Sequence, residues 1–214
     1  MQINQKDCEY LVIGSGAGGA VAFKTLSAEG KNVLLIEEGK KWKPEDFNTP
    51  IGLQIQKLYR NGGIIPINGN PTIGFGEGIA LGGSTVVNGG LLWRTPNWVL
   101  NYWKENLKID GYEIKNLEKH FKNIEKNLGV SLEHEIIGAD LDSTLIKNSA
   151  EKLHWKIEMV PRATTNCNRS NQCGVGCPSG AKQSVDKNYI LEGNHSGGKI
   201  LTQTRVDKLF TKKK

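Results

Sequence analysis

Long hydrophobic runs are missing from this sequence. No apolar stretch of its 214 residues approaches the roughly 18 needed to cross a bilayer, so no membrane span is expected. Cysteine is scarce as well, and four in a chain this long cannot build the disulfide framework of a small secreted fold. A concentrated positive face is also lacking. Lys and Arg number 28 against 22 Asp and Glu, three of the surplus charges are Lys212, Lys213 and Lys214, and no basic stripe is interleaved with aromatics. That argues against a nucleic-acid partner. No internal repeat is present, and 37% apolar with 23% charged residues is the composition of a globular chain. Tyr10 to Ile13, the first apolar run, is too short for the h-region of a secretory leader, so no export signal is expected and the compartment stays open. Glycine, by contrast, is in excess: 26 of 214 residues, about 12% where about 7% is usual. The glycines are clustered, which marks places where backbone must come close to a ligand.

Tyr10–Ile13 and Val33–Ile36 are short continuous apolar runs closed by Gly14 and by Glu37-Glu38-Gly39, and both read as buried parallel strands. Ala20 to Glu29 lies between them, with apolar Val21, Ala22 and Leu26 at helical positions and Gly30 as the stop. Residues 9–39 therefore predict a strand-helix-strand unit and an α/β, Rossmann-like fold. Over 42–92 periodicity fades and Gly, Pro and Asn dominate, which is too much loop unless it covers a ligand. Residues 96–153 read as a helical segment. Leu117, Phe121, Ile124 and Leu128 share one helical face, and a capping region at Asp142-Ser143-Thr144 introduces a helix ending at Lys152. Trp93, Trp98, Tyr102 and Trp103 read as core, with the wall of a substrate site as the other reading. A Cys- and Gly-rich loop over 163–184 and one or two β-branched strands over 199–210 complete the chain.

Gly14-Ser15-Gly16-Ala17-Gly18-Gly19 fits G-x-G-x-x-G, whose glycines make the tight turn, admit a pyrophosphate to the backbone and let helix pack on strand. It follows a predicted strand, opens a predicted helix and is followed at the end of the second strand by Glu37, the acidic residue the fingerprint requires. A carboxylate there suits free ribose hydroxyls and repels a 2′-phosphate, which leaves NAD and FAD.

Gly74 to Gly90 holds a second glycine cluster, too rich for a packed helix or strand, in which Ser84, Thr85 and Asn88 are the convergent polar groups. Its Gly82-Gly83-Ser84-Thr85-Val86-Val87-Asn88-Gly89-Gly90 stretch resembles the first signature of the glucose-methanol-choline (GMC) flavoprotein oxidoreductases. With Ile36-Glu37-Glu38-Gly39, the resemblance extends from the first strand to the last. It implies bound FAD, with Gly14, Ser15, Gly16, Ala17, Gly19, Glu37 and Glu38 toward the ADP end and Gly82, Gly83, Ser84, Thr85, Asn88 and Gly89 toward the flavin. Val206 occupies the place of the family's adenine-contacting valine. The implied reaction is hydride transfer from the CH–OH carbon of an alcohol or sugar to flavin, assisted by a base. The family carries its catalytic His near the end of a chain more than twice this long, so residues 1–214 are expected to be the N-terminal FAD-binding portion, with a flavin-covering extension and no catalytic residue.

Cys167, Cys173 and Cys177 form a C-x5-C-x3-C pattern that ends in Cys-Pro within a glycine-rich loop. Such loops can wrap an iron-sulfur cluster, and structural or disulfide-bonded cysteines are the other reading. Zinc would need a fourth ligand, with His154 or His195 as candidates. The spacing resembles that of cluster-bearing, FAD-dependent sugar dehydrogenase subunits, which implies a [3Fe-4S] centre and a cytochrome c or small-subunit partner. Three rival readings stay open: a steroid or long-chain alcohol oxidoreductase without a cluster, a non-catalytic flavin and iron-sulfur electron-transfer module, and an NAD-dependent enzyme.

Overall fold

A computed structural model describes residues 7–132 and 141–211. In chain order its elements are β1 (Tyr10–Ile13), α1 (Ala17–Ala28), β2 (Val33–Ile36), α2 (Ile51–Leu58), β3 (Ile65–Ile67), β4 (Ile73–Phe75), α3 (Asn97–Glu105), α4 (Ile114–Asn127), β5 (Val130–Ser131), α5 (Leu141–Lys152), β6 (Arg162–Ala163), α6 (Tyr189–His195) and β7 (Lys199–Leu201). Short 3-10 turns lie at Pro44–Phe47, Arg60–Gly62 and Gly83–Val86. The chain forms two compact units, residues 1–89 with 169–214, and residues 90–168.

The first unit is built on a parallel sheet in the order β1-β2-β7. Strand β2 lies in the middle with Val33, Leu34 and Leu35 all buried, as an unbroken apolar run requires when both faces are covered. β1 departs from the expectation of a buried strand: Leu11 and Ile13 are 43% and 48% exposed. It is an edge of this sheet, so burial comes from one neighbouring strand instead of two. α1 starts three residues earlier than its sequence pattern suggests, taking in Gly18 and Gly19, and Gly30 turns the chain after it with φ +73°. Phe23 of α1 is fully buried, and α6 reaches it closely because Gly193 has no side chain: a Cβ there would stand 2.7 Å from the Phe23 ring.

Residues 42–92 are not one long loop. They hold α2, the antiparallel pair β3–β4 and all three of the 3-10 turns. Pro50 directly before Ile51 was the available start signal for α2. Packing explains the rest, since Leu58, Ala80, Val86, Val87 and Phe47 form a buried cluster contributed by separate short pieces, none long enough to show a period. The closing segment also departs from expectation, with β7 confined to Lys199–Leu201 and no strand at 202–210.

In the second unit, Leu117, Phe121 and Ile124 of α4 are half-buried, and Leu128, the residue that follows it, is buried. Arg94 forks onto Glu125, with Nε–Oε1 2.5 Å and Nη2–Oε2 2.6 Å, and reaches Glu118 as well. Asp142, Ser143 and Thr144 lie inside α5 rather than ahead of it, while the position before Leu141 is outside the described residues. Of the aromatic group, Trp93, Trp98 and Tyr102 are not core, being 57%, 72% and 51% exposed, while Trp103 is half-buried and meets the Tyr112 ring edge-on. No described helix is long and apolar enough to cross a membrane.

Candidate functional site

At the end of β1 the chain turns through Gly14, whose φ of +85° is one that side chains other than glycine rarely adopt, and enters α1 at Gly16. Gly16 is the N-cap and offers no side chain, and the first turn of α1 carries no acidic residue. Its first amides are therefore free to receive an anion at the positive end of the helix dipole. Each glycine has its own reason. A Cβ on Gly19 would stand 2.0 Å from the Gly14 carbonyl oxygen, so Gly19 lets helix meet turn. A Cβ on Gly83 would stand 2.9 Å from the Gly16 Cα, so that glycine brings the second motif against the first. Gly16 differs: its φ of −60° suits any residue and a Cβ would meet nothing within 4 Å. Nothing in the chain's own packing asks for glycine there. The space it leaves opens into a cleft of about 580 Å³.

That cleft is lined by Gly14, Ser15, Gly16, Glu37, Glu38, Gly83, Ser84 and Val206 of the sequence-predicted residues, joined by Arg60, Glu77, Gly78, Thr204 and Arg205. A second cleft of about 440 Å³ is walled mainly by apolar groups, among them Ile55, Tyr59, Ile64, Val87 and Val175, with Asn88. Ser84 lines both, so the Gly83–Val86 turn stands where the two clefts meet. Ala17, Gly19, Gly82, Thr85 and Gly89 line neither. Gly82 and Thr85 instead hold the turn, with Thr85 Oγ1 donating to the Gly82 carbonyl at 2.6 Å and accepting the Val185 N–H at 3.3 Å.

The acidic residue after β2 is tied into the chain's own hydrogen bonds. Glu37 is 6% exposed, and its carboxylate accepts the Ser15 N–H (2.9 Å), the Ser15 hydroxyl (2.6 Å) and the Gly39 N–H (2.8 Å). The Ser15 oxygen accepts in turn from the Gly82 N–H at 2.9 Å. One buried chain of hydrogen bonds thus runs from the end of β2 through the first glycine motif to the second. Close approach completes it, since a Cβ on Gly39 would stand 2.3 Å from the Ala80 nitrogen.

Arg60 and Glu77 carry chemistry that the sequence reading missed, because they lie in the stretch read as loop and no spacing pairs them. The Arg60 guanidinium forks onto Glu77 (Nε–Oε2 2.7 Å, Nη2–Oε1 3.1 Å) and also bonds Glu38. Its hydrogen bonds hold the Glu77 carboxyl below the usual carboxylate range. A carboxyl whose pKa is lower folded than unfolded stabilises the fold above its unfolded value, about 4.3, and loses that contribution as pH falls through the folded one. Partial exposure keeps this below about 1 kcal/mol. In urea unfolding followed between about pH 6 and pH 3, Arg60→Met should lose less stability on acidification than the parent. Equal acid slopes would show that the ion pair contributes nothing.

Cys8, Cys167, Cys173 and Cys177 are thiols, none in a disulfide. Among the described residues no group of three or more His, Cys, Asp or Glu side chains is gathered so as to hold a metal ion, so the cluster expected on Cys167, Cys173 and Cys177 gains no support. Cys167 belongs to the second unit and Cys173 and Cys177 to the first. The Cys177 sulfur accepts the Lys182 N–H and contacts Ser179 Oγ, both at 3.4 Å. These hydrogen bonds, with Lys187 nearby, outweigh burial and hold the Cys177 thiol below its usual pKa.

Residues 55–214 match the family model of the GMC oxidoreductases. The chain is 30% identical, over 98% of its length, to an uncharacterized GMC-type oxidoreductase of Sinorhizobium fredii, of which it covers 41%. It is 29% identical, over 96% of its length, to a long-chain-alcohol oxidase of Arabidopsis thaliana, of which it covers 27%. The solved structure of pyridoxine 4-oxidase from Mesorbium loti shares the fold with a TM-score of 0.64 at 15% identity, over 94% of this chain and 43% of that one. The chain thus spans less than half the length of each of these relatives.

Proposed function

Since this chain belongs to the GMC oxidoreductase family, we propose that it is the FAD-holding part of an enzyme that oxidises the CH–OH carbon of an apolar alcohol. The observation that carries the reading is Gly16. Its lack of a side chain serves neither backbone conformation nor protein packing, and it faces a nucleotide-sized cleft at a helix N-terminus. FAD fits better than NAD because a second, apolar cleft begins at Ser84, where a flavin ring could follow the ADP portion. Gly14, Gly16 and the first amides of α1 would hold the pyrophosphate, Glu37 and Val206 the adenosine end, and Ser84 and Asn88 the flavin end. When bound, FAD supplies the hydride acceptor. The apolar walls at Ile55, Ile64, Val87 and Val175 exclude water from that end of the site.

A long-chain alcohol substrate agrees with this apolar cleft and with the name of the Arabidopsis relative. We place the sugar dehydrogenase with a [3Fe-4S] cluster and a cytochrome c or small-subunit partner second, because no group of three or more metal-ligating side chains is gathered among the described residues.

The test is made on the native protein. It should carry FAD and bleach under anaerobic addition of a long-chain primary alcohol. Gly16→Ala should cost at most about 1 kcal/mol of stability, the penalty of alanine at an N-cap, yet lower FAD affinity at least about tenfold. Unchanged FAD affinity in that variant would sink the assignment of the cleft. Bleaching by sugars but not by long-chain alcohols would overturn the substrate reading.

A further inference from the structure

Lys182 is 2% exposed, and no part of the function above uses it. Its ammonium has three hydrogens and spends them on three backbone carbonyls: Thr85 at 3.1 Å, Val86 at 2.6 Å and Asn88 at 2.9 Å. These oxygens lie at and just beyond the C-terminal end of the 3-10 turn Gly83–Val86, where helical carbonyls lack partners of their own and a cation is favoured. The lysine is itself held in place. Its N–H donates to the Cys177 sulfur at 3.4 Å, and its carbonyl accepts from Lys187 Nζ at 2.7 Å. A charged group is costly to bury without a carboxylate to pair with, so such an arrangement persists only where the carbonyls it gathers must be held together.

We infer that Lys182 is a positioning residue, whose ammonium clamps the turn that presents Ser84 and Asn88 to the cofactor. This rests on the FAD reading for its functional half, while the clamp itself concerns the chain alone. The turn is the piece of backbone shared by both clefts; it begins at Gly83, directly after Gly82, and has no regular partner strand. Without the clamp, Val86, Val87 and Tyr59 still pack, but the carbonyls from Thr85 to Asn88 lose the donor that draws them to one point.

The experiment compares the native protein with Lys182→Met, which keeps length and apolar bulk, and with Lys182→Gln, which keeps an amide donor. Hydrogen exchange is read at the amides of residues 85–89 and, as a control, in α1. Lys182→Met should exchange at least about tenfold faster at 85–89 with α1 unchanged, and Lys182→Gln should fall between. FAD affinity should weaken about 10- to 100-fold in Lys182→Met, with an altered visible circular dichroism of the FAD that remains bound. Asn88→Ala should add little further loss in that background, because residues acting through one element are not additive. Unchanged exchange at 85–89 overturns the clamp whether or not FAD binds. Faster exchange with unchanged FAD affinity and spectrum overturns its role toward the cofactor, as do fully additive losses. Failure of the parent protein to bind FAD defeats the FAD reading but leaves the exchange result to judge the clamp. If Lys182→Met does not fold, Lys182→Gln alone decides by the same readings.

Discussion

Gly19→Ala should abolish FAD binding and destabilise the first unit by about 3 kcal/mol or more, while Gly18→Ala, one residue away, should be harmless or slightly stabilising. The two glycines are alike in sequence and opposite in surroundings. At Gly19 an added Cβ would stand 2.0 Å from the Gly14 carbonyl oxygen and 3.1 Å from its carbon, and neither is the movable end of a side chain. Relief requires either α1 to retreat from β1 or the Gly14 turn to open, and both displace the amides that face the cleft. At Gly18 a Cβ would meet nothing within 4 Å, and the residue lies in the first turn of α1, where alanine is the better helix former by up to about 1 kcal/mol. Urea unfolding together with FAD titration of the two variants tests this. Equal destabilisation by both would mean that glycine content, rather than close approach of helix and turn, sets the stability of the motif.

Glu37→Gln should be the second most damaging change, costing about 2–4 kcal/mol and most of the FAD affinity. Removing a buried negative charge relieves desolvation and could on that ground stabilise the fold. The donors decide against it. Oε1 accepts the Gly39 N–H, and Oε2 accepts both Ser15 donors. A glutamine has one oxygen, so whichever way its amide turns, an NH2 group faces a backbone N–H, and that donor is left buried without an acceptor. Ser15→Ala probes the same chain from its other side. Ser15 is fully buried, and the change removes both the hydroxyl donor to Glu37 and the acceptor of the Gly82 N–H while keeping the backbone donor, at a cost of about 2 kcal/mol. The double variant should lose clearly less than the two losses combined, since both act on one network. Thermal unfolding of the three variants tests this. A Glu37→Gln protein as stable as its parent would show that the carboxylate is held there for the cofactor alone.

The sequence by itself determined the strand-helix-strand unit, its G-x-G-x-x-G turn and the acidic residue that follows. Each depends on neighbours close in the chain: an apolar run of strand length, helix formers with Gly30 at the stop, and Gly14 where the backbone takes a positive φ. The Gly83–Val86 motif was legible for a similar reason, because its glycines are needed at fixed positions against a ligand or another backbone. The surroundings of Glu37 were only half legible, since an acidic residue at the end of β2 follows from spacing while its bonds to Ser15 and Gly39 follow from burial. Tertiary structure alone decided that Arg60 joins Glu38 to Glu77 and that Lys182 reaches across 94 or more residues to the carbonyls at the end of the Gly83–Val86 turn. These are long-range pairings of single polar groups. Such pairings leave no periodicity in a sequence, and they are settled by which donors and acceptors the packed core leaves to satisfy one another.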